Sequence, residues 1–520
     1  MKYFSKYTLA ATLFLAGASA CTDLDEEIRG DFTETFAPAN QGVGQEAGAA
    51  SDGLESAFNR LLNGTANHES YFSVQEISSD EAVITQKGGD WFDGGIWLIM
   101  HSHEFTSTVG GINNAWNDIY TGVLQCNELM VNGKPDPEEV GARIALTTPE
   151  TAQVRMLRSY FYWRLLDVFG RVKIAVSPGV DVPQSSRADV YAFVVSELLG
   201  IVDDLPAGRQ EYARTSQGAA YALLSRLYLN AGVYTGTTKY AEAIAAADMV
   251  INSGAYNLST NYADVFSPTN TDNVEHIMVA PFDSQTGGGM NFAMMTLHYP
   301  SQLTYRTTAQ PWNGYSTLEE FYNSYDAGDK RREASFVVGP QTDFNGNPIL
   351  DLAYDKEDPD GPEINYTPFI NELAPNGSRQ AGARLGKFSF KIGETPDMDN
   401  DYPVLRYGEV LLNKAEAIAR SNGNWSHPDA LALVNQLRLR ADVSEYTTMT
   451  EGEFLAERGR ELFQEALRRT DLIRFGAWGD AWWEKEAHAD PDLNLMPIPL
   501  QQINASATST YQLTQNPGYP

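Results

Sequence analysis

The densest grouping of side chains suited to a polyhydroxylated ligand is Gly88-Gly89-Asp90-Trp91-Phe92-Asp93-Gly94-Gly95-Ile96-Trp97, preceded by Ser78-Ser79-Asp80-Glu81. Indole rings offer flat apolar faces to the C–H faces of sugars, carboxylates accept hydrogen bonds from hydroxyls, and glycines free the backbone to present both. Trp91, Trp97, Asp80 and Asp93 are therefore candidate ligand contacts. A second grouping, Tyr305, Trp312, Asn313, Gly314 and Tyr315, repeats the composition far downstream and adds Trp312, Asn313 and Tyr315 to the candidates. The competing reading for both is a turn whose rings plug the scaffold, since Trp and Tyr are commonly buried with one polar edge satisfied.

Enzymatic chemistry finds less support. His101-x-His103-Glu104 has metal-ligating residue types, but on a strand alternate residues face opposite sides, and no distant Cys/His pair completes a site. Glu457, Glu461 and Glu465 interleave with Arg458, Arg460, Arg468 and Arg469. Ion pairing three and four residues apart along one helix accounts for them better than a glycosidase carboxylate pair. The stretch Asp355-Lys356-Glu357-Asp358-Pro359-Asp360-Gly361 has the composition of a calcium loop. Aligning Asp358, Asp360 and Gly361 with its third, fifth and sixth positions puts Lys356 where the first carboxylate is needed and Thr367 at the twelfth. It reads as a solvated acidic loop, with an irregular structural calcium site left open. The sequence contains no Gly-rich phosphate loop, nucleophile elbow or dinucleotide fingerprint. A non-catalytic chain without metal or cofactor is expected.

The elements that would position these residues are mostly helical. Apolar residues recur at three- and four-residue steps from Thr151 to Phe169, from Arg214 to Ala231 and from Tyr240 to Asn252, each closed by a glycine shortly after. The same spacing runs from Val404 to Arg420 through Tyr407, Leu411, Ala415 and Ile418. A second helix is expected from the start signal Ser426-x-Pro428-Asp429, and a third from about Glu451 to Arg474. Such antiparallel pairs predict a mainly α chain and look like tetratricopeptide-type repeats, although the strict repeat consensus is absent; a tetratricopeptide-like superhelix rests partly on a family resemblance. The scaffold is expected over about residues 110–258 and 401–475, with loop-rich ligand-binding insertions over about 70–110 and 259–400, all within one domain spanning 21–520.

Order and spacing in the last quarter also resemble a known family. The helix beginning Arg406-Tyr407-Gly408-Glu409-Val410-Leu411-Leu412 with Ala415-Glu416-Ala417, the Asn435-x-x-Arg438-x-Arg440 helix and the Glu-Arg-rich stretch ending Asp471-Leu472-Ile473-Arg474 are followed by Met496-Pro497-Ile498-Pro499 and Gln515-Asn516-Pro517-Gly518-Tyr519. Together with Trp116-x-x-x-Tyr120, Asn127 and the helices around residues 155–258, they resemble SusD/RagB-type nutrient-uptake outer-membrane lipoproteins. The resemblance implies a cell-surface protein that binds oligosaccharides through aromatic residues in loops. It also implies delivery to a SusC-like TonB-dependent outer-membrane transporter, with peptides as the alternative cargo.

The N-terminus fits that picture. Met1 to Lys6 is basic, and Leu9 to Ala20 is apolar but too short to span a bilayer and ends in small residues before Cys21, the pattern of an export signal over residues 1–20. Ala18-Ser19-Ala20-Cys21 resembles a lipobox in which Cys21 is lipidated, and Asp23, Asp25, Glu26 and Glu27 resemble a surface-export signal. Removing residues 1–20 takes away Lys2 and Lys6 and no acid, so 37 basic side chains fall to 35 against 68 acidic and the formal charge moves from −31 to −33. A field of that sign argues against nucleic acid and against direct attraction to anionic lipid, leaving the Cys21 lipid as the expected membrane contact. Cys126, left without a partner, reads as a small buried apolar residue.

Overall fold

Side-chain caps and buried apolar faces fix where the helices begin and how they stack. The computed structural model describes residues 53–209, 211–285, 288–352 and 361–520. Cys21 with its lipidation signal, and Asp355 to Asp360 of the acidic stretch, lie outside the described residues. The elements that matter for function are α1 (Tyr71–Glu76), β1 (Ala82–Ile84), α2 (Ile96–Ser102), α3 (Gly110–Asn132), α4 (Thr148–Val168), α5 (Arg187–Leu199), α6 (Gln217–Leu229) and α7 (Tyr240–Asn252). They continue with β2 (His276–Ala280), β3 (Tyr315–Thr317), β4 (Tyr402–Arg406), α8 (Tyr407–Asn422), α9 (Pro428–Arg440), α10 (Glu451–Leu462) and α11 (Arg468–Phe475). Capping boxes at Thr147/Glu150, Ser186/Asp189 and Thr450/Glu453 satisfy the first amides of α4, α5 and α10.

Helices pack mainly on their neighbours in the chain. α3 lies on α4, α4 on α5, α6 on α7, and α7 on α8, which in turn lies on α9. Ala219, Ala220 and Ala222 of α6 are buried, as are Ala243, Ala246 and Ala247 of α7, small side chains that let helix axes approach. The protein is a mainly α, tetratricopeptide-like fold, as the helical spacing and the family resemblance together predict. No helix among the described residues is long and apolar enough to cross a membrane.

Three local expectations are corrected. Val404 to Arg406 is strand, not helix: β4 pairs antiparallel with β2, Tyr402 opposite Ala280 and Arg406 opposite His276, and that ladder captures the backbone until α8 starts at Tyr407. The single helix expected over Glu451–Arg474 breaks, because Phe463 leaves the helical region and Gln464 and Ala466 adopt positive φ. His101 lies in α2 and His103 at its C-cap with φ 62°, so the segment is helical rather than a strand. Their rings serve packing: His101 Nε2 meets the Trp483 carbonyl oxygen, and His103 meets the Ser78 carbonyl oxygen and His488.

The glutamates of α10 and the turn after it also behave differently from the expectation. Among the described residues, only the Glu457–Arg460 pair follows the helix. Glu457 otherwise meets Arg331 at 2.7 Å and Arg438 at 2.8 Å, Glu461 meets Arg406 at 2.8 Å and also Arg440, and Glu465 meets Arg406 at 2.7 Å and Lys387 at 2.6 Å. The side chains of all these groups are buried. Arg406→Ala would strand Glu461 and Glu465 beside a missing cation and is expected to cost about 3–5 kcal/mol in chemical denaturation.

A second buried acidic pair lies under β1. Glu76 Oε1 accepts from the Ala466 amide at 2.6 Å and Glu81 Oε2 from the Gln464 amide at 3.4 Å. Their other oxygens have no further partner, and the two side chains can hydrogen-bond only when one of them carries a proton. Burial raises Glu76 from 4.5 to about 7; burial and then the charge of Glu76 raise Glu81. Folded-state values above the unfolded one mean that the stabilisation is fully present below pH 4.5 and is lost as pH rises toward 7. Glu76→Gln can keep both hydrogen bonds without the proton. Melting curves across that window should show a flatter decline for the variant, which should be the more stable protein at about pH 8.

Candidate functional site

Two aromatic segments far apart in the chain meet because β1 pairs antiparallel with β3, Ile84 opposite Tyr315 and Ala82 opposite Thr317. The loop after β1 carries Trp91, and the segment before β3 carries Trp312, so the ladder delivers both rings to one end. Trp91 Nε1 donates to the Trp312 carbonyl oxygen at 2.6 Å across 221 residues of sequence. Trp91 packs on Trp97 with centroids 5.9 Å apart and on Tyr315 at 6.0 Å, while His68 reaches Trp312 at 5.0 Å and Trp91 at 6.5 Å. The Trp312 segment is itself pinned, with the amides of Trp312, Asn313 and Gly314 donating to the carbonyls of Met294, Leu297 and Met295.

Depth within this cluster sorts the expected contacts. Trp91 and Trp312 are partly exposed, and Phe92 beside them is 48% exposed. Trp97 is 3% exposed and donates through Nε1 to Asp93 Oδ2 at 2.7 Å, so it supports Trp91 from below and fixes the exposed Asp93. Tyr315 is fully buried, its hydroxyl paired with Ser73 Oγ at 2.7 Å. Asn313 is buried as well, with φ 59° and both amide atoms lacking a hydrogen-bond partner. Asp80 is taken out of the candidate set: Arg468 binds its two oxygens at 2.6 and 2.7 Å. Of the residues singled out from sequence, Trp91, Trp312 and Asp93 remain at the surface; Trp97, Asn313 and Tyr315 form the layer beneath.

Beside the rings opens a polar recess of about 350 Å³ lined by Asn67, His68, Glu69, Ser70, Asn114, Asn117 and Asp118. It is built from the loop entering α1 and the first turns of α3, where Asn114, Asn117 and Asp118 share a face at helical spacing. Sequence reasoning missed this wall; that spacing was the available signal, and it reads equally as a solvated helix face. Asn114 Nδ2 donates to the Glu69 carbonyl oxygen at 2.9 Å and Ser70 Oγ to Asp118 Oδ2 at 2.6 Å, fixing the wall internally. Burial raises the Asp118 carboxyl, opposed by the Ser70 hydroxyl and Arg164. Burial lowers His68, opposed by Glu69 and Asp93, which keeps its ring neutral near pH 7. Underneath, the buried Lys87 ammonium donates to the Thr85 carbonyl oxygen at 3.0 Å and reaches that of Gly314 at 3.4 Å, and burial pushes its pKa well below the usual lysine range. Partly exposed rings next to fixed amides and carboxylates suit a ligand with apolar C–H faces and many hydroxyls.

Comparison with known proteins places the chain. A model of the SusD family matches residues 241–519, and one described as starch-binding associating with outer membrane matches residues 41–229. The starch-binding protein SusD of Bacteroides thetaiotaomicron is 29% identical over 426 residues, covering 73% of this chain and 74% of that protein. Among solved structures, a laminarin-binding SusD-like protein superposes with a TM-score of 0.68 at 23% identity, over 91% of this chain and 100% of the other. Surface glycan-binding protein A from Bacteroides uniformis gives 0.69 at 19% identity, over 89% and 98%. At such identities the two structures speak for the fold.

Gly314 is where the two aromatic segments touch most closely: a Cβ there would sit 2.3 Å from Trp91 Cζ2. Gly314→Ala is expected to push the Trp91 ring from its seat and cost about 1–3 kcal/mol in urea denaturation.

Proposed function

Since this chain belongs to the SusD family, we propose that it is a cell-surface lipoprotein, anchored to the outer membrane through Cys21, that captures oligosaccharides. It binds them without cleaving them and hands them to a SusC-like TonB-dependent transporter. One observation carries the glycan reading: Trp91 and Trp312, joined by the Trp91 indole hydrogen bond, present ring faces beside a recess walled by amides and carboxylates. The outer-membrane association in the description of the second family model, and the starch-, laminarin- and glycan-binding relatives, support the same reading. In this arrangement the rings stack on sugar faces while Asp93 and the recess accept hydroxyl hydrogen bonds, and Trp97 and Tyr315 hold the Trp91 ring in place from below.

Native affinity electrophoresis of the mature protein through gels containing different polysaccharides tests this directly. At least one polymer should retard it, and Trp91→Ala and Trp312→Ala should each weaken that binding by about 1–3 kcal/mol, or roughly 5- to 150-fold in affinity. Unchanged mobility in every gel together with binding to peptide mixtures would overturn glycan capture in favour of peptide cargo. Release of new reducing ends from the retained polymer would overturn the non-catalytic part.

A further inference from the structure

The walls of the recess also select for charge. Its lining includes the carboxylates of Glu69 and Asp118 and no lysine or arginine, and the loop bearing Trp91 adds the exposed Asp90 and Asp93. The nearby cations are engaged elsewhere or outside the lining. Lys87 is buried and directed at two carbonyls. Arg164 is buried, bonds Thr65 and Tyr160, and lies over the Tyr71 ring. Arg60 acts on Asp118 only from outside the lining. The neutral His68 ring supplies no positive charge.

Within the same wall Ser70 donates its hydroxyl hydrogen to Asp118 and Asn114 one amide hydrogen to the Glu69 carbonyl oxygen, while Asn67 Oδ1 is buried with no hydrogen-bond partner. The two carboxylates and the Asn67 amide oxygen accept from a ligand that brings hydroxyl hydrogens. A uronate carboxylate or a sulfate brings only acceptors and a like charge. The formal charge of −31 over the whole chain adds repulsion at longer range.

Building on the glycan-capture reading, we propose that this site takes uncharged glycans and rejects polyanionic ones, with Glu69 and Asp118 setting the selection. Isothermal titration calorimetry would compare the neutral polymer retained in the gels with the same polymer after oxidation of its C6 hydroxyls to carboxylates, each at low and high sodium chloride. The oxidised polymer should bind at least about tenfold more weakly at low salt, and the gap should narrow as salt screens the carboxylates. In the double variant Glu69→Gln/Asp118→Asn, the affinity ratio should move toward the oxidised polymer. Far-UV circular dichroism and melting curves check that variant's fold, and the salt series on the unaltered protein stands without it.

Equal or tighter binding of the oxidised polymer, or a gap unmoved by salt, would overturn the charge selection. Retention by polygalacturonate or alginate with no neutral polymer retained would overturn it too, while leaving glycan capture intact. Failure to bind any glycan, neutral or anionic, would overturn the capture reading and this inference with it.

Discussion

The structure depends on three glutamates that have been taken out of water. Glu457, Glu461 and Glu465 are buried, and burial pushes their carboxyl pKa values up. Facing guanidinium groups win: Arg331, Arg460 and Arg438 hold Glu457 down to about 2, and Arg440, Arg406 and Arg331 hold Glu461 below the usual carboxylate range. Apart from Arg460 of α10 itself, these partners come from α9, from β4 and from the long segment between β3 and β4, so no single element can satisfy the acids. An unpaired buried charge costs several kcal/mol, whereas the completed network roughly offsets its own desolvation. Its consequence is therefore selectivity: arrangements that leave one segment undocked strand a charge, and the native docking strands none of these three.

The same interior carries the candidate ligand-binding surface. Just past Glu465, the Ala466 amide binds Glu76 of α1, and Arg468 at the start of α11 grips Asp80 immediately before β1. Glu81 then receives the Thr317 hydroxyl from β3 through its carbonyl oxygen. From the ion network to Trp91 and Trp312 there is thus a continuous run of buried hydrogen bonds and one antiparallel ladder. Rings held this way would lose little freedom on binding a ligand, so more of each stacking contact would appear as affinity.

Helices were the legible part of the chain. The Tyr240–Asn252 expectation coincides with α7, and Thr151–Phe169 falls within a few residues of α4, because an amphipathic period of three to four is written into neighbouring side chains. Cys126 could likewise be read as a small apolar residue: it is buried, and burial pushes its thiol up to about 12. Expectations failed where a distant partner overrode the local pattern. β2 draws Val404 to Arg406 into a strand, and the inward turn of Glu465 toward Arg406 and Lys387 accompanies the break between α10 and α11.

By itself, then, the sequence determined the helical class, the family and the two aromatic segments, since each is carried by residue types and spacings within short windows. Tertiary structure alone decided that those segments meet, that Trp91 packs on the buried Trp97 and Tyr315 while it and Trp312 stay partly exposed, and that Asp80 belongs to Arg468. It also raised the wall of Asn67, Glu69, Asn114 and Asp118 beside them. Those outcomes hang on the β1–β3 register and on contacts such as the one spanning 221 residues between Trp91 and Trp312, a separation at which no local periodicity records a pairing.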